Sequence, residues 1–339
     1  MSTKMKACFV NKEGSDRLDY VYKRGRREKF ENELDVLPGI VTEKNLEENR
    51  AFLLEVEVII STWNFVPFTD AQIGEYFPNL KLVLYGAGSV QGFARPFLNR
   101  GIRIVSGWAA MSIPVSEMTA SLVLLANKGY FQTLLTFKKE GFKTAKNVSE
   151  RIFPGNYETR VGILGVGMVG AKVAERLKQS NLEILAYDPY LSDERAKTLG
   201  VKKVSLEDIF SNCQTITNHM ANNPQTEKML KYSLFSRMKD TTTFINTGRG
   251  ASVVEADLIM ALKEKPTRIA ILDVTDPEPI QPGHEFLNLP NVFLTPHIAG
   301  YANMEVMRLA DYMYDELMRF KAGEKLLYEV TLPMLETMA

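Results

Sequence analysis

Three side chains of complementary chemistry stand in similar settings in this sequence: Arg249 in INTGRG, Glu278 in DVTDPEP and His297 in LTPHIAG. Each follows a short apolar run, and so the carboxyl end of an expected β-strand, the edge at which open α/β sheets bind ligands. A carboxylate bonded to an imidazole favours the charged ring and suits it to general acid work. A guanidinium offers a planar fork that binds a carboxylate or steadies a polarised carbonyl. Taken singly, each has a plainer reading: a structural histidine, a solvated arginine, an ordinary Asp-Pro-Glu-Pro turn. All three at strand ends define a candidate site. Of the two other histidines, His219 closes the run TITNHM and competes for the acid role, whereas His284, in the loop QPGHEFLNLP, reads as structural.

A second motif says what such a site would work with. In VGILGVGMVG (161–170), Gly165, Gly167 and Gly170 form G-x-G-x-x-G between an apolar run and the helical stretch AKVAERLKQ. The first glycine makes the turn, the second lets backbone approach a pyrophosphate, and the third lets helix and strand pack closely. The helix N-terminus then faces the anion. Asp188, in LAYDPY, lies 18 residues beyond Gly170 (188 − 170), where a carboxylate accepts from ribose hydroxyls. That acid repels a 2′-phosphate and Pro189-Tyr190-Leu191 brings no arginine, so NAD is expected rather than NADP. His219 is expected to border this cofactor. A lesser signal is KLVLYGAGSVQGF, where free amides around Gly88 and Ser89 can hold a carboxylate.

These motifs need a scaffold, and the pattern around them supplies one. Short β-rich runs alternate with amphipathic stretches, the mark of parallel sheets with crossover helices, so the fold class is α/β. Strands are expected in the 5–11 region and at 57–62, 81–86 and 102–107, with helices over 43–55, 69–77 (capped at Thr69-Asp70) and 89–100. The stretch PVSEMTASLVLLANKGYFQTLLTFKKEG (114–141) reads as one long helix with Pro114 near its start. Six further strands follow, at 160–165, 182–188, 215–220, 241–247, 268–274 and 291–296, enough for a doubly wound sheet. A last helix over 301–323 buries Met304, Met307, Leu309, Met313 and Leu317. Two long helices bracketing the second series imply a domain inserted into another, with a cleft between them.

Length and composition agree with two soluble domains: 339 residues, 45% hydrophobic and 24% charged. Basic and acidic residues are equal at 41 each, which offers no general attraction for nucleic acid or anionic lipid. The basic run YKRGRREKF (22–30) is followed at once by Glu31, Glu33 and Asp35, and reads as a solvated face. No secretory signal and no membrane span is expected. Cys8 and Cys213 have neither disulfide nor metal-ligand spacing; they read as buried fillers in a cytoplasmic protein without a metal site.

On VGILGVGMVG with Asp188, NHMANNPQTEKML, INTGRGASVVEADL, ILDVTDPEP and LTPHIAG, the chain resembles the D-isomer-specific 2-hydroxy acid dehydrogenases over roughly residues 80–320. The resemblance implies two Rossmann-like or flavodoxin-like domains, an NAD-binding domain (117–302) inserted into a discontinuous substrate-binding domain (1–116 and 303–339). It implies homodimers formed through the cofactor domain and an arm around 125–155. By the same carry-over His297 is the acid and base, Glu278 its partner, and Arg249 the holder of substrate carboxylate or carbonyl. The GAGSV turn grips the carboxylate, Asp273 lies near the nicotinamide amide, and Met168, Val169, Thr247 and Gly248 contact cofactor. The chain departs from the family at Met111, at Thr275 and in HMANNPQT, which lacks the usual proline; with Trp63 and Trp108 these fall where substrate or cofactor edges would lie. The expected activity is hydride transfer between NAD(H) and a small 2-oxo or D-2-hydroxy acid. Two similar alternatives are an NAD-responsive corepressor-like binding protein on the same scaffold and a phosphite- or formate-type dehydrogenase.

Overall fold

The computed structural model describes residues 4–336. The described residues divide into two compact units, one of residues 4–111 and 301–336, the other of residues 112–300. The first division, at 111/112, falls inside a continuous helix, Trp108–Asn127.

Five strands open the first unit: β1 (Lys6–Phe9), β2 (Asp35–Val36), β3 (Val58–Ser61), β4 (Leu82–Tyr85) and β5 (Arg103–Ser106). The second unit holds β6 (Tyr157–Leu164), β7 (Asn181–Tyr187), β8 (Lys202–Lys203), β9 (Thr215–Asn218), β10 (Thr243–Asn246), β11 (Ile269–Leu272) and β12 (Val292–Leu294). The chain then returns to the first unit for β13 (Glu329–Val330).

The first sheet runs β13-β5-β4-β3-β1-β2, parallel throughout except for β13, which pairs antiparallel to β5. Its five parallel strands have the flavodoxin-like order. Both faces are covered. One core contains Ile59, Val83, Phe65, Phe77 and Phe97, the other Phe9, Phe30, Ile60, Leu84 and the buried side of helix Met307–Lys321. That helix starts later than 301, so Met304 is exposed while Met307, Leu309, Met313 and Leu317 are buried. The basic run forms helix Arg26–Glu33, with Phe30 in the core and Arg26 paired to Asp311 at 2.7 Å. Thr69 caps helix Asp70–Tyr76 in a full capping box with Gln72. The expected helix over 43–55 shrinks to Arg50–Leu53. Asn45 explains this: its side chain accepts from Thr42 N and donates to Ile40 O, offering the backbone a turn instead of a helix.

The second sheet is all parallel, in the order β12-β11-β10-β9-β6-β7-β8, the doubly wound arrangement about β6. It has seven strands where periodicity marks six, because β8 is only two lysines long. The single helix expected over 114–141 is two, Trp108–Asn127 and Tyr130–Glu140, with a turn at Lys128-Gly129, and a further helix, Phe142–Arg151, follows. Pro114 sits inside the first of these. Trp108–Asn127 also corrects the membrane reading, since its 20 residues are long and apolar enough to span a bilayer by length and composition. Half of it is buried in the protein, with Ala120, Val123 and Ala126 in the core of the second unit. Cys8 and Cys213 are buried free thiols, as read, and burial raises both pKa values, that of Cys213 to about 12.

Candidate active site

The glycine turn leaves β6 as a dinucleotide requires. Gly165 has φ +82° and donates to Tyr187 O at 2.8 Å; a Cβ there would lie 2.9 Å from the His219 carbonyl. A Cβ on Gly170 would lie 2.0 Å from Gly165 O, so only glycine lets the helix pack on the strand. Around Gly167, by contrast, nothing lies within 4 Å of that position, which leaves room for a ligand to approach backbone. Helix Met168–Leu177 opens with half-buried Met168 and Val169, no side-chain cap and no acid in its first turn, and so presents bare N–H groups to an anion. Asp188, just after β7, accepts from Val166 N at 2.7 Å and from Tyr190 N at 2.8 Å. It thus both closes the turn and, since each carboxylate oxygen accepts twice, keeps lone pairs for ribose hydroxyls. These residues fit a dinucleotide.

Three loops leave the same edge of this sheet side by side, because the last residues of β10, β11 and β12 are in register, Asn246 with Leu272 and Leu272 with Leu294. The loop after β10 carries Thr247, Gly248 and Arg249, that after β11 carries Asp273 and Glu278, and that after β12 carries His297. His297 Nδ1 lies 2.6 Å from Glu278 Oε1, which leaves Nε2 as the nitrogen that can hand on a proton. His297 has φ +53°, a left-handed conformation uncommon outside glycine, and its N–H donates to Asp273 O and Thr295 O, both at 3.0 Å. Arg249 is half-buried, with Nη1 donating to Gly248 O at 2.8 Å. Burial lowers its pKa and the charge of Glu278 opposes that shift.

The supporting polar groups were not evident from sequence. Buried Asn246 donates from Nδ2 to Arg249 O at 3.1 Å and accepts from Gly248 N at 3.1 Å. Ser252 Oγ donates to the same Arg249 carbonyl at 2.9 Å and accepts from Asn218 Nδ2 at 2.8 Å. A buried asparagine at each of two strand ends, Asn218 and Asn246, was the available signal. Asp273 is buried and accepts from Thr295 Oγ1 (2.6 Å), Ile298 N (2.8 Å) and Ala299 N (3.0 Å). Its carboxylate therefore organises the His297 loop.

His219 does not compete for the acid role. Its Nε2 lies 3.0 Å from Thr217 Oγ1 and its Nδ1 3.5 Å from Thr247 Oγ1, which in turn meets Thr119 Oγ1 at 3.0 Å. Burial pushes the imidazole down to about 3, so it is neutral at ordinary pH. His284 is structural as read, with Nδ1 accepting from Phe286 N at 3.3 Å.

In the first unit the turn after β4 has its carbonyls tied down: Thr62 Oγ1 donates to Gly86 O at 2.7 Å, and Ser106 Oγ to the carbonyls of Ala87 and Gly88. The N–H groups of Gly88 and Ser89 have no partner among the described residues, so both are available to an anion. Met111 lies beside this turn, its Cγ 4.0 Å from where a Gly88 Cβ would be. Trp63 meets Tyr301 with ring centroids 4.8 Å apart and planes tilted by 36°, and is followed by Asn64, left-handed at φ +65°. Trp108 packs edge-on against Tyr328 at 6.1 Å.

A turn shaped for a dinucleotide and an imidazole–carboxylate pair carried on the same sheet are features of the nucleotide-dependent hydride-transfer enzymes. Residues 121–299 match the family model for the D-isomer specific 2-hydroxyacid dehydrogenase, NAD binding domain, and the chain belongs to that family. It is 30% identical over 256 residues to a glyoxylate reductase of Korarchaeum cryptofilum, covering 75% of this chain and 77% of the relative. With a D-3-phosphoglycerate dehydrogenase of Archaeoglobus fulgidus it shares 28% identity over 333 residues, 98% of this chain but only 60% of that longer protein. The fold is also that of the apo D-mandelate dehydrogenase of Rhodotorula graminis, at a TM-score of 0.79 and 21% identity, with 96% of this chain and 97% of the other covered.

Proposed function

We propose that the protein catalyses reversible hydride transfer between NAD(H) and a small 2-oxo acid, giving a D-2-hydroxy acid. The observation that carries this reading is the 2.6 Å pair of His297 Nδ1 and Glu278 Oε1 at a strand-end edge shared with Arg249. NAD(H), held at Gly165, Gly167, Gly170, Met168, Val169 and Asp188, supplies or accepts the hydride. In reduction, His297 Nε2 gives its proton to the carbonyl oxygen of the acid; in oxidation it takes the hydroxyl proton back. Glu278 holds the ring in the tautomer and orientation that this needs and stabilises the imidazolium. Arg249 orients the substrate through its carboxylate or carbonyl. In the first unit, the free amides of Gly88 and Ser89 are suited to a carboxylate. Asp188 favours NAD over NADP because a second anion beside it is repelled.

The corepressor-like and phosphite- or formate-type alternatives draw no support from the relatives above, whose names are those of hydroxy-acid enzymes. The deciding experiment is a panel of 2-oxo acids with NADH and with NADPH, followed by absorbance of the reduced nicotinamide. Turnover of at least one acid, with NADH preferred, is expected; no turnover of any acid would end the assignment.

We also infer a homodimer. Tyr130, Phe137, Phe142, Ile152 and Tyr157, all between residues 125 and 157, are large apolar side chains between 45% and 69% exposed. Such a concentration is what an obligate interface covers. Sedimentation of the protein against a Phe137→Glu variant tests it, with dimer and monomer expected respectively. Two buried free thiols fit action in the cytoplasm.

A further inference from the structure

Residues Thr275–Pro279, which carry Glu278, form neither helix nor strand. Something must nevertheless hold Glu278 against His297, and two groups outside the mechanism above are placed to do so. Glu255, the first residue of helix Glu255–Glu264, accepts from Asp276 N through Oε1 at 3.0 Å. Its other oxygen lies 3.1 Å from His284 Nε2. Both side chains are largely shielded, Glu255 to 12% exposure and His284 to 24%. The His284 ring is fixed in turn by Phe286, whose N–H it accepts and whose ring centroid lies 4.9 Å away. Behind Asp276 the backbone is pressed against the arginine loop: a Cβ on Gly250 would lie 2.2 Å from the Thr275 carbonyl.

A glutamate in the first turn of a helix is ordinarily there for the helix, since its charge favours the N-terminal dipole from an exposed position. Glu255 is not so used. It is largely shielded from water, at a desolvation cost that raises its pKa against the pull of Asp276 N–H and His284, and it is bonded to a different segment. Shielding a carboxylate in this way returns little net stability over an apolar side chain, so stability alone is a poor account of its placement.

We propose that Glu255, buttressed by His284, is the positioning residue that sets Glu278 against His297. The chain then carries two carboxylate–imidazole pairs in series: the outer pair fixes the backbone from which the inner pair's carboxylate hangs. The kinetic consequence rests on the oxo-acid reading; the structural one does not.

The test uses the full chain with Glu255→Ala, Glu255→Gln, Glu278→Ala and the double variant E255A/E278A. With an accepted oxo acid, E255A is expected to lower kcat roughly 10- to 100-fold, as a misplaced catalytic group does, with KM for NADH unchanged. E255Q keeps an acceptor for Asp276 N and recovers most of the loss. Added to E278A, E255A should cost nothing further, because it acts through Glu278. A kcat for E255A within about twofold of the unaltered protein, or losses that multiply in the double variant, would overturn the proposal. Crystal structures of the unaltered protein and E255A read the Glu278–His297 separation directly, whether or not any acid is turned over. Opening beyond hydrogen-bond reach is expected, and an unchanged 2.6 Å would overturn it. Should E255A fail to fold, His284→Asn carries the same two readouts. If the unaltered protein reduces no oxo acid, the functional reading fails and the crystal comparison still decides the brace.

Discussion

Asp273 grips His297 and the two residues after it: its carbonyl accepts the His297 N–H at 3.0 Å, and its carboxylate accepts the next two amides, Ile298 N and Ala299 N. A left-handed histidine persists only where its surroundings over-determine it, and this double attachment does so. In Asp273→Asn one acceptor oxygen becomes a donor, which leaves a buried amide N–H facing another. We expect a stability loss of about 1–3 kcal/mol in denaturant unfolding, and a fall in kcat that exceeds any change in KM.

The proton-transfer assignment makes His297→Ala the most damaging single change at the edge of the second sheet. Loss of a positioned general acid lowers kcat by roughly 10²- to 10⁴-fold, while NADH binding, followed by nicotinamide fluorescence, stays as it was. Glu278→Gln should cost less, because the ring and its Nε2 remain. Turnover undiminished in His297→Ala would remove the histidine from the mechanism.

Arg249→Lys keeps a positive charge and loses the fork. If the guanidinium binds the substrate with two parallel N–H bonds, kcat/KM falls roughly 10- to 100-fold, the value of a hydrogen bond to a charged group. A lysine variant as active as the parent would show that charge alone suffices at this position.

His219 predicts a pH dependence of stability with a definite sign. Its folded pKa, about 3, lies below the ordinary 6.5, so the unfolded chain takes up the proton first. Stability is unaffected above about 6.5 and is lost progressively as the pH falls from there towards 3. A His219→Gln variant should show a flatter decline in Tm over that window, and a decline as steep as the parent's would contradict the assignment.

The long parallel strands and the glycine turn were legible because their signals are local: β-rich runs between polar turns, and three glycines with different tasks. Arg249, Glu278 and His297 were legible for a related reason, since a strand end is a position periodicity can mark. Two-residue strands are another matter. Lys202–Lys203 and Glu329–Val330 carry no alternation, and exist because β7 and β5 offer them an edge to pair with. Nor does composition show that Asn45 would dismantle a helical stretch, or that the apolar run 108–127 would bury half its surface in the protein.

The supporting residues were hidden for a different physical reason. Glu255 meets Asp276 across 21 positions, and Ser252 meets Asn218 across 34, so nothing near either in sequence hints at the partner. His219 illustrates the converse. Its type suggested proton transfer; its burial, which only the folded chain supplies, keeps it neutral.

The antiparallel strand β13 and helix Met307–Lys321 come from beyond residue 300, yet they complete the sheet and one core of the unit that begins at the other end of the chain. A ribosome reading this message therefore delivers everything the NAD-binding unit needs before the first unit has its closing pieces. Phe9 already has Tyr22 and Phe30 against it, but this face of the sheet is completed only when the last stretch of polypeptide emerges with Leu309, Met313 and Leu317.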